Sequence, residues 1–165
     1  MDEKDKTNNQ DLLPPPLTRL VGSWKGLTRT WFMPGELADE STWEGTFRLV
    51  LSGRFLLYEY SGTLQTKPLE GVALIGYNDQ RQRYEMAWVD SFHNGPAIMF
   101  SVGGAKGDPF TVVGSFPDFS GGPDWGWRTQ IDLLDADHLA IRHYNITPQG
   151  EESLGVETIY SSVKL

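Results

Sequence analysis

Turn-forming residues interrupt this chain so often that a helix of ordinary length has almost nowhere to form. Breaks fall at Pro34-Gly35, Ser52-Gly53, Thr66 to Pro68, Asn78-Asp79, Asn94 to Pro96, Gly103 to Pro109, Asp118 to Asp124, Asp135 to Asp137 and Pro148-Gly150. Each combination presets or permits the backbone angles of a tight turn. Eighteen Gly and ten Pro in 165 residues supply them. Between the breaks lie ten runs with strand character, at 23–33, 41–51, 54–63, 68–77, 82–91, 97–103, 110–117, 125–134, 138–147 and 153–163. Parallel strands need crossovers of roughly a dozen residues, and no link here provides one. The chain therefore reads as an all-β antiparallel meander. A meander this long must hide its edge strands, and closing into an up-and-down barrel of about ten strands does so. A flattened two-sheet sandwich is the alternative. No fixed period suggests a propeller or solenoid.

One short helix is expected before the first strand. Leu17, Leu20 and Val21 share a helical face, and Gly22 stops the run. Residues 1–16 read as a mobile polar tail ending in Pro14, Pro15 and Pro16, and 17–165 as a single domain, which the length suits.

Charge and composition remove several function classes. Twenty-two acidic against 14 basic residues leave a net charge of −8, which disfavours nucleic acid as a partner. With no Cys there is no disulfide, thiolate metal site or cysteine nucleophile. No apolar run reaches the roughly 18–20 residues of a membrane span. The polar N-terminus lacks a signal-type apolar stretch, so a cytoplasmic protein is expected. Neither Gly-x-Ser-x-Gly nor His-Glu-x-x-His occurs. Asp132, Asp135 and Asp137 lack the Gly and closing Glu of a calcium loop. Gly103 to Asp108 lacks the Lys-Ser/Thr of a phosphate loop. No metal site and no catalytic residue is assigned.

Alternation along each strand sorts side chains by face. Tyr84, Met86, Trp88 and Asp90 share the larger, more aromatic face of 82–91 and are assigned inward. So are Trp24, Gly26, Thr28, Thr30 and Phe32 in the first strand, then Trp125, Trp127, Thr129, Ile131 and Leu133, and later Leu139, Ile141, His143 and Asn145. For 54–63 and 153–163 the faces are too similar to separate. The interior so inferred mixes indoles with Thr, Asp, His and Asn. Unpaired polar groups are costly when buried, so this mixture suits a cavity that is partly wet or holds a ligand. The other reading is a closed core whose polar groups bond one another.

Several pieces occur together and in order: Gly22-Ser23-Trp24-Lys25-Gly26, Leu51-Ser52-Gly53-Arg54-Phe55, Glu70-Gly71, Leu74 to Asn78, and Trp88-Val89-Asp90-Ser91. Over residues 17–163 this set resembles the bacterial family 1579 of the domains of unknown function. That family is similar to calycins: lipocalins, fatty-acid-binding proteins and nitrobindin-like barrels. The resemblance implies a calycin-like barrel of eight to ten strands, with Trp24 packed across its base against the 17–21 helix. It implies fold more than activity. Nitrobindin-like barrels hold haem through a late-strand histidine, which points to His143, although Leu27-Thr28 stands where they carry a further Gly. Fatty-acid-binding proteins use an Arg and a Tyr of the last strand on a carboxylate; Tyr160 matches the Tyr, and no Arg accompanies it.

The favoured expectation is a non-enzymatic barrel enclosing a small, largely apolar ligand, its cofactor unknown. Thr28, Tyr84, Trp88, Asp90, Trp127, His143 and Tyr160 are the expected ligand-binding residues. The alternatives are a haem-binding barrel using His143, an isomerase or hydrolase with Asp90 as base, and a cavity-free barrel acting through its surface or as a homo-oligomer. His93 is read as a solvated turn residue. The run 116–125, with Phe119, reads as a lid over a barrel mouth or as a plain surface loop.

Overall fold

The computed structural model describes residues 13–106 and 108–164. A single turn of helix, α1 (Pro15–Thr18), leads into ten strands: β1 (Gly22–Met33), β2 (Glu36–Val50), β3 (Phe55–Leu64), β4 (Lys67–Asn78), β5 (Arg83–Asp90), β6 (Met99–Gly103), β7 (Phe110–Phe116), β8 (Trp125–Asp135), β9 (His138–Ile146) and β10 (Glu152–Ser162). Each pairs antiparallel with the next, and β1 pairs with β10, from Trp24 opposite Ser162 to Thr30 opposite Val156. The meander is thus a closed up-and-down barrel without a free edge. Among the described residues no helix is long and apolar enough to cross a membrane.

β1 starts at the end where α1 lies and runs towards the other end, here called the mouth. The mouth carries the β1–β2, β3–β4 and β9–β10 turns and the longer loops 91–98 and 117–124. The closed end is sealed by Leu13, Leu17 and Leu20, which join the barrel core. Trp24 ties this end together, donating its indole Nε1–H to the carbonyl of Leu20 at 2.8 Å. Two expectations change here. Val21 is exposed, because the helix stops at Thr18 and the chain has turned before reaching it. Leu13 is buried and α1 opens at Pro15, so the packed chain begins before residue 17; the rest of the expected tail, 1–12, lies outside the described residues.

Alternation places most inward residues as read from parity. Trp24, Thr28, Thr30, Tyr84, Met86, Trp88, Asp90, Trp127, Thr129, Ile131, Leu139 and Ile141 are all buried. The two ambiguous strands face inward through Leu56, Tyr58 and Tyr60, and through Val156, Thr158 and Tyr160. Trp125, Leu133, His143 and Asn145 are only partly buried, and Phe32 is exposed. The β1–β2 register shifts after Thr30 and again after Trp31, and this irregularity turns Phe32 out to the rim, half exposed. β2 begins at Glu36, five residues before the expected strand, because its polar start offers no alternation to read.

The interior is an aromatic column more than a hollow. Phe47, Tyr58, Tyr60 and Trp43 stack in succession with ring centroids 4.2, 5.1 and 5.3 Å apart. Gly71, opposite Tyr60 on the neighbouring strand, makes this possible: a Cβ there would sit 2.2 Å from the Tyr60 ring. Outward charges pair across strands, as in Arg29 with Glu40 and Arg142 with Glu157.

Candidate functional site

Polar chemistry concentrates where β5 reaches the mouth. The Asp90 side chain is wholly buried. Its Oδ1 accepts the backbone N–H groups of Phe92 and His93, which folds the start of loop 91–98 into an Asx turn. Its Oδ2 accepts the Tyr60 hydroxyl at 2.9 Å and the Nδ1–H of His93. Tyr60 in turn accepts the Trp88 indole N–H at 2.9 Å. Burial alone would raise the Asp90 carboxyl, but the hydrogen bond and charge of His93, with the two backbone N–H groups, hold it below the usual carboxylate range. An ionised Asp90 keeps the His93 proton on Nδ1, so in the neutral ring Nε2 is a bare acceptor.

Around this pair the rings cluster. Trp88 and Trp127 are nearly parallel, 7° apart with centroids separated by 5.8 Å. His143 lies 5.3 Å from Trp127 and 5.9 Å from Trp88, and His93 lies 5.5 Å from Trp88 and 5.8 Å from Trp127. His143 Nδ1 is 2.9 Å from the Thr129 hydroxyl. As a residue His143 keeps some exposure, yet its ring is densely surrounded. Burial pushes its imidazole down to about 3; nearby His93 adds to the fall and Asp90 opposes it. His143 is therefore neutral at ordinary pH.

Space is divided unequally. Beneath the rings, between Tyr58, Trp88, Trp127 and His143, only about 20 Å³ is free, room for about one water molecule. Above them a cavity of about 450 Å³ opens at the mouth. Its floor is Trp88, His93 and Trp127, its rim Phe32, Phe92, Phe116 and Phe119, with Asn94 and Asn145 between. Among the described residues no Lys, Arg, Asp or Glu lines it. Trp127 Nε1 and Asn94 Nδ2 are, among the described residues, buried without a hydrogen-bond partner. β10 makes room by a bulge at Gly155, where a Cβ would come 2.7 Å from the Asn145 amide nitrogen. A larger groove, about 850 Å³, runs along the outside of β1–β5 between Lys25, Glu44, Glu59 and Glu70. Most of these are solvated side chains on an open face, so the smaller mouth cavity is the better site.

Of the residues expected to bind ligand, the structure brings Trp88, Trp127, Asp90 and His143 together. Trp88 and Trp127 line the mouth cavity; His143 lines only the small void, and Asp90 stands behind His93. Thr28 lines neither space and bonds Thr158 at 2.8 Å. Tyr84 packs at the closed end against Tyr77 and Phe110, its hydroxyl on the Asp108 carbonyl. Tyr160 is bonded to Tyr58 at 2.9 Å, and burial pushes both phenols up. The haem expectation does not fit, because the rings packed against His143 leave only the 20 Å³ void beside it. Asp90 as a base does not fit either: both its oxygens are engaged and its carboxyl is held low. His93 is the residue that parity missed. Its side chain is only 16% exposed, and the Asp-x-x-His spacing, which lets one carboxylate take both a backbone N–H and a ring N–H, is the signal that marks it. Phe119, in the 116–125 run, reaches the cavity rim while 88% exposed.

The model of the family described as "Protein of unknown function (DUF1579)" matches residues 16–161. No curated protein matches the chain. Among solved structures the chain is similar to the S-type phycobiliprotein lyase CPES from Guillardia theta, with a TM-score of 0.55 and 14% identity, over 90% of this chain and 91% of that one. At that identity the likeness is one of fold.

Proposed function

This chain belongs to the DUF1579 family, and from that premise we propose that it is a barrel holding one small, largely apolar molecule at its mouth rather than deep in its interior. The observation that carries this is the 450 Å³ cavity with its aromatic floor and rim.

Titration with Nile red, a neutral apolar fluorophore, tests the reading. Saturable 1:1 binding is expected, with blue-shifted dye emission and quenched tryptophan emission, since Trp88 and Trp127 form the floor. Trp127→Ala should weaken it by about tenfold, the equivalent of roughly 1.4 kcal/mol. Absence of saturable binding, or binding unaffected by Trp127→Ala, defeats the proposal.

A further inference from the structure

We infer that the mouth end of the barrel docks on a lipid surface whose headgroups carry no net charge, of the phosphatidylcholine type. The docking rests on the side chains of that end and goes beyond the ligand-binding reading above, which supplies only its use.

Six large apolar side chains gather at the mouth. Phe32 and Met33 end β1, Leu37 lies at the start of β2, Phe92 and Ile98 belong to loop 91–98, and Phe119 stands in loop 117–124. Each is half or more exposed. Phe32 stacks on Phe92 with ring centroids 6.2 Å apart, and both line the mouth cavity together with Phe119. The apolar surface therefore surrounds an opening. Exposed apolar groups gathered in one place mark an interaction face.

Charge and shape decide what that face meets. Among the described residues, the mouth turns and loops, with the first residue of each strand that leaves them, hold the acids Glu36, Asp118, Asp124, Glu151 and Glu152 and the base Lys67. Glu152 is paired with Arg128. The other four acids leave the end with a negative excess. A second copy seated mouth to mouth would set these acids against one another, and an anionic bilayer would repel them. A zwitterionic surface does neither. Its outermost choline cations suit carboxylates and aromatic rings alike. A rigid protein partner would also have to plug the 450 Å³ opening or leave it empty beneath the contact. A fluid acyl layer needs no plug. Seated there, the cavity opens onto the bilayer, and an apolar ligand passes between the two without crossing water.

Co-sedimentation of the full chain with sucrose-loaded vesicles of dioleoylphosphatidylcholine tests the inference. Binding is expected at millimolar lipid. Brominated lipid should quench tryptophan emission, because Trp31 lines the mouth cavity. Replacing half of the lipid with dioleoylphosphatidylglycerol should weaken binding by at least about tenfold at low salt, and added salt should narrow the gap. The double variant Met33→Ser/Phe119→Ser should weaken binding to the neutral vesicles by at least about tenfold. Leu51→Ser/Leu134→Ser removes comparably exposed groups from the closed end and should leave binding unchanged. Near-UV circular dichroism checks that both variants fold. No binding of the wild-type protein to the neutral vesicles overturns the inference. So does tighter binding to the half-anionic vesicles, or an equal loss in the closed-end variant. A dimer that the mouth variant returns to monomer also overturns it, by assigning the ring to a second copy. Nile red in lipid-free buffer separates the two readings. Vesicle binding without Nile red binding upholds the docking and defeats the ligand-binding reading; Nile red binding without vesicle binding does the reverse.

Discussion

His143 shows what enclosure does to a single residue. In the unfolded chain its imidazole takes up a proton near its ordinary 6.5, whereas in the barrel it resists until about 3. Between those values the unfolded state binds a proton that the folded state refuses. Stability therefore falls as pH drops from about 6.5 towards 3 and is unaffected by this group above 6.5. Asp90 acts in the same direction at lower pH. Its carboxyl is held below the unfolded value, so its contribution is present above about 3.8 and is lost as pH falls through the folded value. Thermal melts at pH 7, 5.5 and 4.5 should show a declining midpoint. His143→Phe should flatten that decline over the upper part of the window, and an identical slope in the variant would exclude His143 as its source. Parity alone marked His143 and Asp90 as inward. It did not reveal that Asp90 spends its lone pairs on loop 91–98, because those N–H groups come from backbone whose course alternation does not describe.

Elements end where the chain can turn, and one turn here works against its residues. The β3–β4 hairpin reverses through Gln65 and Thr66, with φ of 48° and 67°. Two successive positive φ values mark a type I′ turn, which favours Asn-Gly. Thr66 is β-branched and strained in that region. Gln65 also gives its backbone N–H to Asp39 at 3.0 Å, a bond that a side-chain change leaves in place. Replacing Gln65-Thr66 with Asn-Gly should stabilise the barrel by about 1 kcal/mol. Urea unfolding would show it as a higher midpoint at unchanged slope; a lower midpoint would mean that the Thr66 side chain does more than close the turn. The same reasoning explains the legible and illegible boundaries. Gly- and Pro-marked turns lie within a few residues of where they were expected, while the start of β2 is polar and shows no alternation, and the rim position of Phe32 depends on a register shift that no local residue announces.

For the molecule as a whole, closure is the governing fact. β1 pairs with β10, so the ring is completed by the contact most distant in sequence, alongside local hairpins everywhere else. Loop-closure entropy must be overcome before that seam returns any energy, which places folding among slow, non-local topologies, in milliseconds to seconds or longer. Stopped-flow tryptophan fluorescence should find such a phase, slowed further by Thr28→Ala if the Thr28–Thr158 bond across the seam forms in the transition state. By itself the sequence determined the all-β class, the ten strands, the antiparallel meander and most of the inward face. These follow from turn chemistry and a two-residue period, both local properties of the chain. Only the tertiary structure decided how the interior volume is shared. Whether inward aromatics enclose a hollow or fill it depends on rings from several strands meeting at one level. Here they pack the barrel down to about 20 Å³ and leave the usable space at the mouth, where a bulge, a loop and His93 meet.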